Sequence, residues 1–132
     1  MMRVKTKVRI STIDGLGLFA DQFIAKGTTT WQYDPEFDTA FTQKQIDGLS
    51  ETSQNYLRCY TYYDEDIKKY VLCCDNQRFI NHSLRRSNID STPNCDIAAR
   101  DIQSGEEMLC DYTKFDKTYF ERMGLKQSDL KD

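Results

Sequence analysis

The sequence has few of the residues that build metal sites and disulfide frameworks. It contains a single histidine, His82, and five cysteines in 132 residues. Cys73 and Cys74 are adjacent and the other cysteines are scattered, so no Cys-x-x-Cys pair is present to anchor a tetrahedral zinc ion. We therefore predict no structural metal. An odd number of cysteines without regular spacing also favours reduced thiols in a cytosol-like compartment over a disulfide scaffold.

The sequence also lacks long apolar runs and an excess of basic charge. No segment approaches the roughly 20 apolar residues that cross a bilayer, and the N-terminus lacks the apolar run of a secretory signal. The formal net charge is −3, whereas nucleic-acid-binding surfaces carry basic excess. We expect no membrane partner and no direct nucleic-acid binding. A small negative charge is compatible with a basic peptide partner, although it is equally ordinary for a soluble protein.

The length and patterning predict one mainly β domain. A chain of 132 residues with 39% hydrophobic content fits a single domain over 1–132, with a core at about 4–120 and a short polar C-terminal tail. Residues 4–10 alternate between β-branched and basic side chains, which predicts a half-buried strand whose apolar face includes Ile10. Further strands are predicted at 18–20, 28–33, 70–73, 96–102 and 108–110.

Short helices are predicted between and after these strands. Thr42 with Gln45 forms a capping-box pattern, and Ile46 and Leu49 would share one helical face. Ser50 or Thr52 would begin a second helix carrying Tyr56, Leu57 and Tyr60. A last short helix would be capped by Asp116 and ended by Gly124.

Three short motifs occur in order along the chain. They are Gly15-Leu16-Gly17, the segment Arg78-Phe79-Ile80-Asn81-His82-Ser83, and Glu107 followed four residues later by Asp111-Tyr112. Together they resemble the signature elements of SET-domain protein-lysine methyltransferases, over about residues 4 to 120. The resemblance implies a SET fold, which is a β-clip of several small sheets with short helices. In that fold the C-terminal segment passes under a neighbouring loop in a knot-like arrangement. Without flanking cysteine-rich zinc modules, the chain resembles a minimal, zinc-free core of bacterial or viral type.

The resemblance implies a site for S-adenosyl-L-methionine. The residues it assigns to cofactor binding are Gly15, Leu16, Gly17, Arg78, Asn81, His82, Tyr112 and Phe115. Glycine allows close backbone approach to a ligand, yet taken alone this Gly-x-Gly fits a tight turn between strands. It is not a dinucleotide-binding fingerprint, because the third glycine and the following helix are missing. His82 is assigned a structural and cofactor-binding role and no general-base role.

The same resemblance makes Tyr112 the predicted catalytic residue. Methyl transfer requires a neutral lysine amine aligned with the methyl carbon, and a phenol can hydrogen-bond that amine. A dry aromatic channel disfavours the ammonium form, so no strong side-chain base is required. We assign the lysine channel to Tyr60, Tyr62 and Phe115. Without the other motifs, Tyr112 would be interpreted as a core tyrosine at a strand end.

The segment after Asn81-His82-Ser83 departs from the family pattern. The family usually continues shortly with Pro-Asn, but here Asn88 lacks the proline and a literal Pro93-Asn94 lies further on. Counting back from Ala99 favours Asn88 as the family equivalent over Asn94. Glu107 is expected to be structural, and Asp111 is expected to support its loop.

The predicted function is S-adenosylmethionine-dependent methylation of a lysine side chain in a protein, with histone-like proteins among the open substrate classes. One alternative is a catalytically silent SET-like module that binds peptide by strand addition. Another is a β-clip interaction protein without affinity for the cofactor. The expected location is a bacterial cytosol, or a host nucleus if the protein is a secreted effector. The sequence leaves the oligomeric state and the degree of methylation open.

Overall fold

The structure, a computed structural model, describes residues 1–126. The strands in this part of the chain are β1 (Thr6–Ile10), β2 (Leu16–Ala20), β3 (Thr29–Gln32), β4 (Thr39–Phe41), β5 (Thr61–Asp64), β6 (Lys69–Leu72), β7 (Asn81–His82), β8 (Ile89–Ser91), β9 (Cys95–Ala98) and β10 (Leu109–Cys110). The helices are α1 (Gln43–Asp47), α2 (Glu51–Tyr60) and α3 (Tyr119–Arg122), with 3₁₀ turns at Asn76–Phe79 and Tyr112–Lys114. These elements form sheets of two, five and three strands. The prediction of a mainly β fold with several small sheets and short helices is confirmed.

The five-stranded sheet contains an unusual crossing of the chain. Its order is β3-β9-β8-β10-β7, and β10 pairs in parallel with both β7 and β8. Since β7 and β8 are consecutive in sequence, residues 83–88 connect them across β10. The N–H groups of Ser83 and Asn88, at the two ends of this connection, donate to the carbonyls of Cys110 and Leu109, each at 3.0 Å. The C-terminal segment therefore passes beneath a loop, in the knot-like arrangement that the family resemblance implied.

The predicted N-terminal strand forms a hairpin with β2, in register from Thr6 opposite Ala20 to Ile10 opposite Leu16. Ala20 is buried in the core, but Ile10 is 85% exposed and Leu16 is 46% exposed. The prediction that Ile10 lies on a buried face is wrong. Alternation correctly indicated a strand, but no element among residues 1–126 covers this end of the hairpin.

The starts of the first two helices follow the predicted capping chemistry. The N–H of Gln45 donates to the Thr42 hydroxyl at 3.2 Å, and the N–H of Thr42 donates to the Gln45 side chain at 2.8 Å. Ser50, one of the two predicted alternatives, caps α2 by accepting from the N–H of Ser53. Local side-chain chemistry therefore sets both boundaries.

Two predictions in this region are wrong or incomplete. Leu49 does not share a helical face with Ile46, because α1 ends at Asp47 and Leu49 lies in the following turn, 38% exposed. The strand β5 was not predicted at all. The chain passes from α2 into β5 at Thr61, whose hydroxyl donates to the carbonyl of Leu57 at 2.6 Å. No glycine or proline marks this transition.

Asp116 does not cap the last helix as predicted. The helix begins after Thr118, which makes no side-chain cap, whereas the Asp116 carboxylate accepts from the N–H groups of Thr118 at 3.0 Å and Tyr63 at 2.9 Å. Asp116 also forms an ion pair with Arg122 and is 1% exposed. It therefore connects α3 to β5. Gly124 follows the helix at φ +64°, as expected for a C-terminal glycine.

The core lies between the β1–β2 hairpin and the five-stranded sheet. Its buried residues are Leu18, Ala20, Ile24, Ile80, Ile89, Ala98, Ile102, Met108 and Cys110. None of the helices in the described part of the chain has the length and apolar character needed to cross a bilayer. Most of the predicted polar tail, residues 127–132, lies outside the described residues.

Candidate active site

A row of aromatic side chains comes from two of the sheets and the C-terminal segment. Its neighbours contact edge to face: Trp31 and Tyr62 have ring centroids 6.3 Å apart, Tyr62 and Phe115 5.7 Å, Phe115 and Tyr112 5.8 Å, and Tyr112 and Tyr119 4.8 Å. The quadrupoles of aromatic rings favour this perpendicular arrangement. The row brings residues 31, 62 and 112–119 into one continuous apolar wall.

This wall lines a pocket that is open to solvent. The predicted channel residues Tyr60, Tyr62 and Phe115 all line it, together with Tyr112 and Arg78. Gly15, Leu16, Gly17, Asn81 and His82, although predicted to bind the cofactor, are not among its lining residues. The structure thus collects the predicted channel in one cavity and places the glycine motif and Asn81 elsewhere.

The Tyr112 hydroxyl donates a hydrogen bond to the backbone carbonyl of Ile80. Burial raises the pKa of Tyr112 well above its ordinary value, so the phenol remains protonated at neutral pH. Because its proton is directed to Ile80, the lone pairs of the phenol oxygen are available as acceptors. The side chain is thus fixed in orientation and can accept a hydrogen bond from a ligand in the pocket.

His82 holds the backbone that carries Tyr112. Its Nδ1 accepts the N–H of Tyr112 at 3.0 Å, and its ring contacts those of Tyr112 and Phe120 at centroid distances of 5.2 and 5.0 Å. Asp111 lies 3.8 Å from the same nitrogen, a distance at which an ion pair would form with a protonated ring. Since Nδ1 accepts a hydrogen bond, it carries no proton, and the contact is not an ion pair. This supports the predicted structural role.

Asn81 fastens the glycine-containing loop to the rest of the domain. Its side-chain amide nitrogen donates to the carbonyls of Asp14 at 3.0 Å and Leu16 at 3.1 Å, and lies 3.2 Å from Oε1 of Glu107. Gly15 has φ +44°, and a Cβ added there would meet nothing within 4 Å. The first and second sequence motifs therefore meet directly, and the backbone at Gly15 is open to a ligand.

The glycine loop lies on the same side of the domain as the pocket. The charge of Asp14 contributes to raising the pKa of Tyr112, and also those of Tyr60 and Tyr119, in each case after burial as the largest cause. All three tyrosines line the pocket. Although the loop does not line the pocket, it adjoins it through Ile80 and Asn81: the Tyr112 hydroxyl donates to the Ile80 carbonyl, and the next side chain, Asn81, donates to the carbonyls of Asp14 and Leu16.

A sequence model of the SET domain matches residues 15–113, from the glycine motif through Tyr112. The chain belongs to the SET domain family. It is similar to the N-lysine methyltransferase KMT5A-A of Danio rerio, at 29% identity over 128 residues that cover 86% of this chain and 37% of that protein. The chain thus spans little more than a third of the length of this relative.

Solved structures show the same fold. One is a humanized mutant of the Chaetomium thermophilum Polycomb Repressive Complex 2 bound to the inhibitor GSK126, with a TM-score of 0.62 at 21% identity, covering 85% of this chain and 15% of that chain. Another is apo ctPRC2 with two mutations in Ezh2, with a TM-score of 0.67 at 20% identity, covering 90% of this chain and 16% of that chain. At this identity the likeness shows the fold of the SET domain alone.

Within this SET domain, the structure favours Asn88 over Asn94 as the second family asparagine. Asn88 is 1% exposed, donates from its amide to the carbonyl of Glu107 at 2.8 Å, and accepts the N–H of Leu109 at 2.8 Å. Asn94 lies in an exposed turn. Asn88 therefore pins the C-terminal segment beneath the loop.

The two adjacent glutamates of the terminal motif point in different directions, as strand geometry predicts. Glu106 forms an ion pair with Arg100, which holds the pKa of the Glu106 carboxyl below its ordinary value. Glu107 lies against Gly17 and Asn81 instead. Asp111 accepts from the N–H of Thr113 at 3.0 Å, which supports its loop as expected.

Several pocket residues were missed from the sequence. They include the carbonyl of Ile80 and the side chains of Trp31, Gln77 and Asp96. A backbone acceptor leaves no sequence signal. Asp96 interrupts an otherwise apolar strand, and this could have marked it as a buried functional carboxyl.

The cysteines and carboxylates form no metal centre in the part of the chain described. Within residues 1–126, no group of three or more His, Cys, Asp or Glu side chains is placed to hold a metal ion. The five cysteines are free thiols: Cys73 and Cys110 are buried, Cys59 and Cys74 are exposed, and Cys95 is half-buried. The absence of a structural metal from the whole protein remains a prediction.

Proposed function

We propose that the chain is an S-adenosyl-L-methionine-dependent protein-lysine N-methyltransferase. The observation that carries the proposal is the Tyr112 phenol. It is protonated, fixed by the Ile80 carbonyl, and set in an aromatic pocket beside the loop that Asn81 holds. The membership in the SET domain family and the similarity to an N-lysine methyltransferase support the same activity.

The residues around the glycine loop fit the methyl donor. The carbonyls of Asp14 and Leu16 can each accept a second hydrogen bond, which suits an ammonium group, and the open backbone at Gly15 permits close approach. Tyr112 and Tyr119 offer aromatic faces next to this loop. When bound, the donor supplies an electrophilic methyl group on a positively charged sulfur. Asn81 acts by keeping the loop carbonyls in place.

The aromatic pocket fits a lysine side chain. Tyr60, Tyr62 and Phe115 present apolar surface to the methylene stem, and aromatic faces also attract a cationic, methylated nitrogen. An apolar wall disfavours the ammonium form, so the pocket lowers the effective pKa of the lysine from about 10.4. The pocket thereby favours the neutral amine, which is the nucleophile.

Tyr112 orients that amine. Its oxygen accepts an N–H of the amine because its own proton is directed to Ile80, and this leaves the nitrogen lone pair facing the methyl group. Holding the reactants in line converts a bimolecular step into one within a complex. His82 contributes by accepting the N–H of Tyr112, and so fixes where the phenol lies.

The substrate is proposed to be a basic, histone-like protein. A net charge of −3 is compatible with such a partner, and the named relatives include an N-lysine methyltransferase. The five free thiols support a reducing compartment such as the cytosol, or a host nucleus.

The test uses purified core histones and a cell lysate with isotope-labelled S-adenosylmethionine, followed by mass spectrometry of lysine-containing peptides. Methylated lysines that appear only with enzyme are expected. Cofactor binding by calorimetry without methyl transfer to any protein would instead indicate the silent peptide-binding module. No cofactor binding at all would indicate an interaction protein unrelated to methylation.

A further inference from the structure

A buried carboxyl group lines the same pocket as Tyr112. Asp96, on β9, is 3% exposed and shares the cavity with Trp31, Tyr62 and Gln77. A carboxyl group in an apolar cavity is unfavourable unless its neighbours form hydrogen bonds to it. Such groups occur preferentially at functional sites. The SET motifs do not include this position, and Asp96 has no part in the reaction described above.

The polar atoms around Asp96 are incompletely satisfied within the protein. The Gln77 side-chain nitrogen donates to the Asp96 carboxylate, but Oε1 of Gln77 and Nε1 of Trp31 are buried without a hydrogen-bond partner among residues 1–126. Gln77 is 6% exposed and Trp31 is 2% exposed. Buried polar groups normally have partners, so one unpaired acceptor and one unpaired donor beside a carboxyl group mark a place for a polar ligand group or water.

We propose that Asp96 accepts the proton that the target lysine must lose before methyl transfer. The proposal rests on the lysine methyltransferase function proposed above. The aromatic walls guide the lysine side chain, Tyr112 orients its nitrogen, and the Asp96 carboxylate receives the proton directly or through water. Asp96 would then be the general base of the pocket.

The step balances as a proton transfer. One N–H bond of the lysine ammonium breaks, its electron pair remains on nitrogen, and the proton bonds to a carboxylate oxygen of Asp96. An ammonium and a carboxylate become a neutral amine and a neutral acid, which a low-dielectric pocket favours. Between turnovers the acid returns its proton to solvent.

The titration behaviour of Asp96 is consistent with this role. Burial raises the pKa of Asp96 to about 7, although the hydrogen bond from Gln77 lowers it. A general base works best when its pKa lies near the working pH, because a sufficient fraction is then deprotonated and that form is still basic enough to accept a proton. At neutral pH about half of the molecules would carry the ionised carboxylate.

Two carboxyl groups line this pocket, and Asp116 is held in an ion pair with Arg122, which leaves Asp96 as the proposed proton acceptor. Cys73, after β6, and Cys110, on β10, are close enough to feel the charge of Asp96, and burial raises the pKa of both thiols well above the ordinary value. Both therefore remain neutral. Arg78 lines the same pocket as a permanent cation and cannot accept a proton. Ser91, on β8, contributes only a hydroxyl.

Gln77 can accommodate both protonation states of Asp96. An amide has a donor end and an acceptor end, so its NH₂ can serve the carboxylate and its oxygen can accept from the protonated acid after a flip. The unpaired Gln77 oxygen is thus available when Asp96 takes up a proton. Gln77 would be a positioning residue that sets the pKa of Asp96.

The first experiment compares Asp96→Asn with the wild type in methylation of core histones across pH 6 to 10. The variant keeps the shape of the side chain, so S-adenosylmethionine affinity and KM should change less than about twofold. We expect kcat at pH 7 to fall about a hundredfold, which is the lower end of the range for loss of a general base. The difference in kcat between the two proteins should become smaller as the pH approaches the pKa of lysine. The matched control is Asp90→Asn, because Asp90 is an exposed carboxylate on β8 that pairs with Lys114 at 3.1 Å outside the pocket.

The second experiment measures the carboxyl group itself. Carbon-13 NMR of aspartate-labelled protein, with the Asp96 signal identified by its loss in Asp96→Asn, should show a midpoint near pH 7. Gln77→Met removes a hydrogen bond that lowers this pKa, so both the NMR midpoint and the kcat inflection should move to higher pH together.

The outcomes separate the two proposals. Wild-type turnover with parallel pH profiles for wild type and Asp96→Asn would overturn the role of Asp96 and leave the methyltransferase function standing. A carboxyl midpoint below pH 5 would also overturn it. A wild type that transfers no methyl group to histones or to any protein of the lysate, at any pH, would overturn both. If the inflection near pH 7 in the kcat profile is lost in Asp96→Asn but kept in the wild type and Asp90→Asn, the result supports Asp96 as the general base.

Discussion

Gly17 and Glu107 are packed so closely that no side chain fits between them. A Cβ built on Gly17 would lie 2.2 Å from Oε1 and 3.0 Å from Cδ of Glu107. The first and last sequence motifs therefore touch, although they are separated by ninety residues of chain. The glycine is required here by close approach, and the Glu107 carboxylate, which also lies near the Asn81 amide, cannot move without disturbing the loop.

Gly17→Ala should therefore displace Glu107 and loosen the glycine loop. We expect a loss of about 1–3 kcal/mol in the free energy of unfolding, as for other overpacked sites, and weaker S-adenosylmethionine binding. Thermal denaturation and calorimetry measure the two effects. Gly48→Ala is the matched control, because its Cβ would meet its nearest neighbour at 3.6 Å, an ordinary contact. Equal behaviour of the two variants would contradict the close packing as a constraint.

Asn81→Ala should weaken cofactor binding more than it weakens the fold. The amide holds the carbonyls of Asp14 and Leu16, which we propose to contact the cofactor. Loss of the hydrogen bonds between these carbonyls and the charged cofactor should cost about 1.5–3 kcal/mol of binding free energy. This corresponds to a rise in Kd for S-adenosylmethionine of roughly 10- to 150-fold. Asn94→Ala, in the exposed turn, should leave calorimetric affinity unchanged. Unchanged affinity in Asn81→Ala would show that Asn81 has no part in the cofactor site.

Sequence reasoning succeeded where the chemistry is local. The side chains of Thr42 and Gln45 each accept the backbone N–H of the other residue, within a segment of four residues. Gly124 takes the positive φ that ends a helix. The strand β5 at Thr61–Asp64 was missed because its pairing with β6 and its support from Asp116 come from residues distant in sequence. Tertiary contacts of this kind override local preference.

In the candidate site, too, local motifs were predictable from the sequence and tertiary contacts were not. Motifs and family resemblance identified Tyr112 and the channel residues, which the structure gathers in one pocket. They could not identify Ile80, whose contribution is a backbone carbonyl. The position of Asp96 in an apolar strand was a signal for a buried carboxyl, but its pairing with Gln77 could not be identified, because a buried polar pair on two separate elements depends on packing and has no fixed spacing in sequence.

The buried Asp96 should make stability depend on pH. Its pKa is raised from 3.8 to about 7 in the folded state, so the folded protein binds more protons than the unfolded chain between these values. Stability is therefore present at low pH and falls as pH rises from about 4 to 7, by up to a few kcal/mol. Asp96→Asn should remove this dependence, so its gain in Tm over the wild type should be larger at pH 8 than at pH 5. An equal difference at the two pH values would contradict the raised pKa.

The scattered cysteines and single histidine predict tolerance of chelators. Zinc-dependent small domains unfold when the metal is removed, because metal binding supplies their folding free energy. Here EDTA should leave the Tm unchanged, and elemental analysis of the purified protein should find no stoichiometric zinc. Melting by EDTA would show that a metal site exists.

The central claim is that the Tyr112 hydroxyl orients the lysine amine, and Tyr112→Phe tests it most directly. The ring keeps its volume, and loss of the hydrogen bond to Ile80 is worth only about 1 kcal/mol, so the fold and cofactor affinity should remain nearly intact. Turnover should fall by about a hundredfold or more, as for other enzymes in which the reacting atoms are no longer held in line. Tyr63→Phe, a tyrosine packed on Tyr70 outside the pocket, is the control and should keep wild-type turnover.

The decisive measurement is kcat for histone methylation by Tyr112→Phe, made on protein whose S-adenosylmethionine affinity has been shown by calorimetry to equal that of the wild type. We predict a kcat at least about a hundredfold below that of the wild type and of Tyr63→Phe. A folded, cofactor-binding Tyr112→Phe protein that methylates histones at the wild-type rate would contradict the catalytic role of Tyr112.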